Sequence, residues 1–254
     1  MMREPVVFAR TLAVGVVIPV HNEEELLGFA LASLVDAFDQ LGQRELAMRA
    51  AVVLDACSDD SAEVTRQWQV ALARRQSPLE ITVIMSHAKN VGQARALGCN
   101  ALLAHWSRII PAKIWLATTD ADSRVPLDWL ASQVIQHDTG VDHWSGRVSV
   151  DDWSGQQDET RIRWQNEYER EIQPIHGANL GFNAAAYLAA GGFAPLETGE
   201  DRALHRALVD RGGPSYFDSA VRVVTSARRR ARAPLGFAHA LEVIGSTPRV
   251  RATG

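Results

Sequence analysis

The sequence of 254 residues predicts an α/β fold, a mostly parallel central sheet flanked by helices. Three observations carry that prediction. Apolar runs and amphipathic stretches alternate four times within about 120 residues, which is the rhythm of β-α-β units. The apolar runs are rich in β-branched residues and lack a polar alternation, as strands covered on both faces require. Each run also ends in a polar cluster ("HNEE", "DACSDD", "HAKN" and "DADS"), and ligands of such sheets bind beyond the carboxyl ends of the strands.

The first strand is "LAVGVVIPV" (12–20). From Glu23 to about Leu41, residues Leu26, Leu27, Ala30, Leu31, Leu34, Val35 and Phe38 recur at helical spacing. "RAAVVLD" (49–55) is a second strand, leading to a helix that starts near Ala62, with Asp59, Asp60 and Ser61 as its N-terminal caps. "EITVIMS" (80–86) is the third strand, followed by a helix from about Gln93 to Trp106, and "KIWLATTD" (113–120) is the fourth. After Asp122 the pattern loosens. "DWLASQVIQHD" (128–138) is helical, "HWSGRVSVDDWSGQ" reads as irregular or short strands, and 159–173 is a charged amphipathic helix. A short helix within 177–193 is stopped by Gly191 and Gly192, a further helix spans 199–213, and a late strand after Tyr216 runs into a basic loop. No linker-like composition separates the halves, so one domain is expected.

Composition excludes several classes of function. A net charge of −4 gives no basic field for nucleic acid. Two cysteines, Cys57 and Cys99, make no disulfide framework and suit a reducing cytoplasm. No apolar run approaches the roughly 20 residues of a membrane span, and the first strand has neither the flanks nor the cleavage pattern of a signal peptide.

The first strand is not followed by Gly-x-Gly-x-x-Gly, nor does any Gly-Lys-Ser/Thr phosphate loop occur. Proline and carboxylates stand there instead. A carboxylate-rich edge repels phosphate, so a phosphate ligand needs a cation in between. Asp120 and Asp122 are the natural pair to hold it, because residues i and i+2 of an extended segment point to one side. Two hard carboxylates suit Mg²⁺ or Mn²⁺, which complete their shells with water and substrate phosphates. A plain turn leaving the strand is the other interpretation, and Asp-x-Asp alone does not decide between them.

Taken in order, "VVIPVHNEE", "VVLDACSDDSAEV", "KNVGQARALGCNALL", "LATTDADS", "GANLGFNAAAYLAAGGF" and "GEDRALHRALVDRGG" resemble the family-2 nucleotide-sugar glycosyltransferases of the GT-A fold, from about Val14 to Tyr216. The resemblance implies a single GT-A domain over 1–235, with a nucleotide-binding half (12–125) and an acceptor and catalytic half (126–235), then a C-terminal tail (236–254). It implies that Pro19 and Glu23 border the nucleoside and that Asp55 reads the base, although Ala56 stands where many relatives have a second aspartate. Lys89, Gly92 and Arg95 would pass near the diphosphate, with Arg95 offsetting its charge or lying on a solvated helix face. Asp120 would touch the ribose or a metal-bound water, and Asp122 would bind Mg²⁺ or Mn²⁺. Gly177, Ala178 and Asn179 would border the donor sugar, and in the Glu200-Asp201 pair Asp201 would be the general base. Arg228, in the loop with Arg229, Arg230 and Arg232, would close over the diphosphate or meet an anionic membrane surface. His176 and His239 are further candidate metal ligands, and Trp144, Trp153 and Trp164 are either core or acceptor site.

The expected activity is transfer of a hexose from a UDP- or GDP-sugar to an acceptor hydroxyl, with inversion. The acceptor is a small molecule or lipid-linked. The expected location is cytoplasmic, with peripheral membrane contact through the arginine loop as a second option. The rival functions are a sugar-phosphate nucleotidyltransferase and a non-catalytic sugar-nucleotide or glycan-binding relative.

Overall fold

The run from Ala13 to Val20 forms β1, the strand on which the molecule is built, and its residues are buried except at Pro19. The computed structural model describes residues 10–42, 46–153 and 157–226. Among them, β2 (Ala47–Asp55), β3 (Leu79–Ser86), β4 (Ile114–Thr118), β5 (His143–Val150), β6 (Leu180–Asn183) and β7 (Ser215–Thr225) complete a seven-stranded sheet. The helices are α1 (Leu27–Leu41), α2 (Ser61–Arg74), α3 (Val91–His105), α4 (Trp129–Asp138), α5 (Asp158–Tyr168), α6 (Ala184–Ala189) and α7 (Glu200–Asp210). The sheet order is β3-β2-β1-β4-β6-β5-β7. β1 pairs in parallel with β2 and β4, β2 with β3 and β5 with β7, whereas β6 runs antiparallel to both β4 and β5. The chain order reverses between β1 and β4, which is where an open α/β sheet forms its ligand crevice.

Alternate residues of β1 feed two cores. Val14, Val16, Ile18 and Val20 pack with α1 on one face, and Ala13 and Val17 pack with α3 on the other. Helix α3 comes so close that glycine is needed on both sides. A Cβ on Gly15 would lie 2.7 Å from Leu102 Cδ1, and one on Gly98 would lie 2.3 Å from Val17 Cγ1. Pro19 is tolerated in this central strand for a positional reason. The β1–β4 ladder ends at Val17 and Thr118, and Val17 accepts the Thr119 N–H on that side. Pro19, two residues on, turns its hydrogen-free nitrogen toward the same side, where β4 has already ended.

Several boundaries differ from the sequence expectation. Helix α1 starts at Leu27 instead of Glu23, because the Leu26 and Leu27 N–H groups both bond to the Glu23 carbonyl in a tight turn. The N-cap of helix α2 is Asp60, which makes no side-chain cap bond, and the Ser61 N–H is accepted by the Asp59 carboxylate instead. The segment from His143, expected to be irregular or in short strands, contains the eight-residue β5. Residues Leu180–Asn183 form β6, a strand that was not expected. Among the described residues no helix is long and apolar enough to cross a membrane.

Beside the sheet, His137 is fully buried and held neutral by its partners. Asn183 Nδ2 lies 2.8 Å from His137 Nε2, and the Asn183 carbonyl already accepts from Ala185 and Ala186. An amide nitrogen only donates, so Nε2 is the accepting nitrogen and the proton sits on Nδ1, facing Thr11 Oγ1 at 2.8 Å. Burial, then the Arg10 charge, pushes the pKa of His137 down to about 4. Burial, then His205, pushes His143 down to about 4 as well. Below pH 6.5 the unfolded chain therefore takes up protons that the folded chain refuses, so stability falls as pH drops from about 6.5 toward 4. Urea unfolding at pH 7.5 and pH 5.0 is expected to show a loss of about 2 kcal/mol for each of these two histidines. Equal stability at the two pH values would contradict this.

Candidate functional site

The polar ends of β1, β2, β3 and β4 meet at one edge of the sheet. After β1, Asn22 takes a positive φ of 55°, and its side-chain oxygen accepts the Ser58 N–H from the β2–α2 loop. Glu23 is buried, with its N–H donating to Ser61 Oγ at 2.9 Å. After β2, Ala56 also takes a positive φ of 51°, and its N–H bonds to the Ser86 carbonyl. Asp55 is buried, and its two oxygens accept the N–H groups of Lys89 (3.1 Å) and Asn90 (2.8 Å). That carboxylate therefore holds the β3–α3 loop in place. Each oxygen keeps a further lone pair.

The Asp-x-Asp segment is not extended, which corrects the geometry the sequence suggested. The Ser123 N–H bonds to the Asp120 carbonyl at 3.1 Å, so Asp120 and Asp122 occupy the first and third positions of a turn. The turn is braced from behind by β7. Arg124 exchanges two backbone bonds with Val224, and Ser123 Oγ donates to Thr225 Oγ1. The two carboxylates remain close. Burial pushes the Asp120 carboxyl up against the pull of the Arg95 guanidinium, and the charges of Asp122 and Asp201 push it further in the same direction.

Arg95 lies on neither a solvated face nor an open phosphate path. It is 3% exposed. Its guanidinium donates to Asp120 Oδ1 at 2.6 Å and pairs with Glu200, itself only 4% exposed. One buried cation thus joins the Asp-x-Asp turn to the start of α7. Both of its partners are carboxylates, so its charge is already countered within the protein. Gly177 makes this possible, since a Cβ there would lie 2.4 Å from the Arg95 guanidinium carbon. Gly92 allows a close backbone approach, but to residues 194–196: its N–H bonds to the Leu196 carbonyl, and a Cβ would meet the Ala194 carbonyl at 2.1 Å.

Helix α7 is introduced by Gly199, in the left-handed region at φ 75°. Asp201 sits in the first turn, and its oxygens accept the N–H groups of Gly177 (2.8 Å) and Arg202 (2.7 Å). Thr118 Oγ1 donates to the Gly177 carbonyl at 2.6 Å, so the end of β4, the 177 loop and Asp201 form one connected unit. Ala178 is buried in the same loop. Asn179 is fully buried and faces the core: its oxygen accepts from Trp129 Nε1, and its nitrogen donates to the carbonyls of Arg147 and Val221. Its side chain supports the loop from below.

Two histidines flank Asp201. His176 bonds to the Tyr168 hydroxyl at 3.0 Å, and burial pushes it down to about 4 while the Asp201 charge pulls it up. His205, one helical turn after Asp201, contacts His143 at 3.0 Å and is lowered by burial, also against Asp201. The sequence signal for His205 is its i+4 spacing from Asp201, which marks the same helix face. Trp144 and Trp164 are core residues, and Trp153 packs on Trp164 with ring centroids 5.5 Å apart. Arg228 and His239 lie outside the described residues.

A switch-point crevice edged by carboxylates, on a sheet continued by the antiparallel β6, is the architecture shared by the GT-A glycosyltransferases that the chain resembles. The chain belongs to glycosyl transferase family 2, whose model matches residues 15–197. Among solved structures it is similar to residues 1–349 of S. aureus TarS, at 13% identity and TM-score 0.56, over 84% of this chain and 60% of that one. It is similar to a mannosyltransferase from Pyrobaculum calidifontis in complex with GDP-Man and Mn²⁺, at 20% identity and TM-score 0.60, over 94% of this chain and 62% of that one. It is also similar to the glucosyl-3-phosphoglycerate synthase of Mycobacterium tuberculosis in complex with Mn²⁺, UDP and phosphoglyceric acid, at 15% identity and TM-score 0.54, over 95% and 81% of the two chains. At these identities the likeness is one of fold, and the chain spans about three fifths of the first two structures. No protein of curated function matches by sequence.

Proposed function

We propose that this protein is a divalent-metal-dependent glycosyltransferase that moves a hexose from a nucleotide-diphosphate sugar to an acceptor hydroxyl with inversion. The observation that carries the proposal is the meeting of Asp120, Asp122 and Asp201 at the β1–β4 crevice, locked together by Arg95, Glu200 and Gly177. Family membership supports sugar transfer. Fold neighbours in complex with GDP-Man or UDP support a UDP- or GDP-sugar donor.

The residues present fit a hard cation. Among the described residues no group of three or more candidate ligands forms a closed cage, so Asp122 and the free oxygen of Asp120 would supply only part of a shell. That suits Mg²⁺ or Mn²⁺, which take the remaining ligands from water and phosphate. When bound, the ion supplies positive charge against the negative charge that develops on the departing diphosphate.

The chain's own residues do the rest. Pro19 and Glu23 would border the nucleoside, and Asp55 would use its remaining lone pairs toward the base. Gly177 and Ala178 would bring backbone close to the donor sugar, with Asn179 supporting them. Asp201, aimed by two backbone N–H groups, would take the acceptor proton as that oxygen bonds to the anomeric carbon and the bond to the diphosphate breaks. Glu200 would hold Arg95, and Arg95 would hold Asp120. Arg228 would close over the diphosphate, as the family resemblance implies.

The test is release of UDP or GDP from a panel of UDP- and GDP-hexoses, with and without Mn²⁺. Metal-dependent release is expected with one donor, and NMR of the product is expected to show the opposite anomer. Transfer of the nucleotidyl group, or retention at the anomeric carbon, would reject the proposal.

A further inference from the structure

Next to the base, between α7 and the segment after α5, lies a groove of about 530 Å³ that the proposed chemistry leaves unused. Glu171, Gln173, Pro174 and Ile175 line one wall, and Arg202, His205, Arg206 and Val209 line the other. The α7 residues fall at i, i+3, i+4 and i+7, so they form one stripe of the helix. The opposite wall is fixed from behind, because Arg147 donates to the carbonyls of Tyr168 (3.0 Å) and Glu171 (2.5 Å).

Two arginines of α7, Arg202 and Arg206, face this groove together, with Glu171 on the wall across from them. The exposed Arg66 and Arg75 and the half-buried Arg161 and Arg222 each pair with a carboxylate. Among the described residues Arg202 and Arg206 have no such partner, and unlike Arg74, Arg108, Arg170 and Arg211, which also have none, they stand one turn apart on a helix, where like charges repel. An anion between them relieves that repulsion. The groove also adjoins the reacting centre. Arg202 directly follows Asp201, and His205 feels the Asp201 charge.

We propose that this groove is the acceptor subsite and that it selects an acceptor alcohol carrying a phosphate group. The assignment rests on the glycosyltransferase reading above. Two guanidinium forks and an imidazole match the several oxygens and near-double charge of a phosphate. Pro174, Ile175 and Val209 offer an apolar wall to the carbon skeleton, and the acceptor hydroxyl would lie toward Asp201, the residue before Arg202.

The test has two arms on the full chain. In the first, phenylglyoxal labels arginines while inorganic phosphate is titrated, and peptide mapping follows each site. Phosphate is expected to slow labelling of Arg202 and Arg206 but not of the exposed Arg74 and Arg108. Equal slowing at all four, or none, overturns the anion site whatever the enzyme transfers. In the second arm glycerol, glycerol 3-phosphate and phosphatidylglycerol vesicles are compared as acceptors. The two phosphorylated probes separate a soluble ester from a lipid headgroup. A phosphorylated acceptor is expected to be preferred, and Arg206→Gln and the Arg202→Gln/Arg206→Gln double variant are expected to raise its KM roughly ten- to hundredfold. Equal use of glycerol, or an effect on donor KM instead, overturns the subsite. Absence of any donor turnover counts against the glycosyltransferase reading, and the labelling arm still decides the anion site.

Discussion

Replacing Asp201 with asparagine is expected to lower kcat by roughly 10²–10⁴-fold, the usual worth of a positioned general base, while donor and metal still bind. The variant also carries a modest structural cost. Both Asp201 oxygens accept backbone N–H groups, so the amide nitrogen of asparagine must face one of those donors. Loss of one such bond costs about 1–2 kcal/mol. Thermal melts should therefore show a folded protein of slightly lower Tm, with donor affinity measured separately from turnover. A variant that keeps its kcat would remove Asp201 from the mechanism.

The second large effect is on stability. Arg95→Met removes the cation between Asp120 and Glu200. Asp120 is partly open to solvent, but the Glu200 side chain is only 5% exposed and would be left as a buried charge without its counterion. Breaking a buried pair on one side costs about 3–5 kcal/mol. In a chain of this size that lowers Tm by roughly 10 °C. Adding Glu200→Gln removes the stranded charge, so the double variant is expected to recover much of the loss. Arg95→Lys is expected to recover less, because a single ammonium does not match two carboxylates on different elements as a fork does. Strict additivity of Arg95→Met and Glu200→Gln would show that the pair is not coupled.

Arg95 also shows what could be read in advance. Its place on a helix after the third strand was legible, as was the succession of β1 to β4, because parallel strands buried on both faces leave continuous β-branched runs. Its partners were not, since Asp120 and Glu200 stand 25 and 105 residues away in sequence and only the fold brings them to it. β6 escaped notice for a similar reason. Its four residues are defined by pairing with β4 and β5 and not by any periodicity of their own. β5 was legible only as irregular or short strands because it carries Arg147, which is buried by the rings of Tyr168 and Phe217. The Asp-x-Asp segment was identified as a candidate site from its surroundings, but the turn that shapes it depends on β7, a strand more than ninety residues further on. Asp55 and Asn179 illustrate the remaining limit. The residue type at each position was informative, yet which backbone groups its side chain holds follows from packing alone.

The measurement that bears most directly on the central claim is a thermal melt of wild type and Asp122→Ala against UDP- and GDP-sugars, each with and without Mn²⁺. A ligand at a hundred times its Kd adds about 2.7 kcal/mol to the folded state, which is several degrees in Tm. The wild type is expected to gain that shift with one nucleotide sugar only when Mn²⁺ is present, and Asp122→Ala is expected to lose it. A shift that is the same without metal, or that survives in Asp122→Ala, would contradict a metal-held nucleotide sugar at this site.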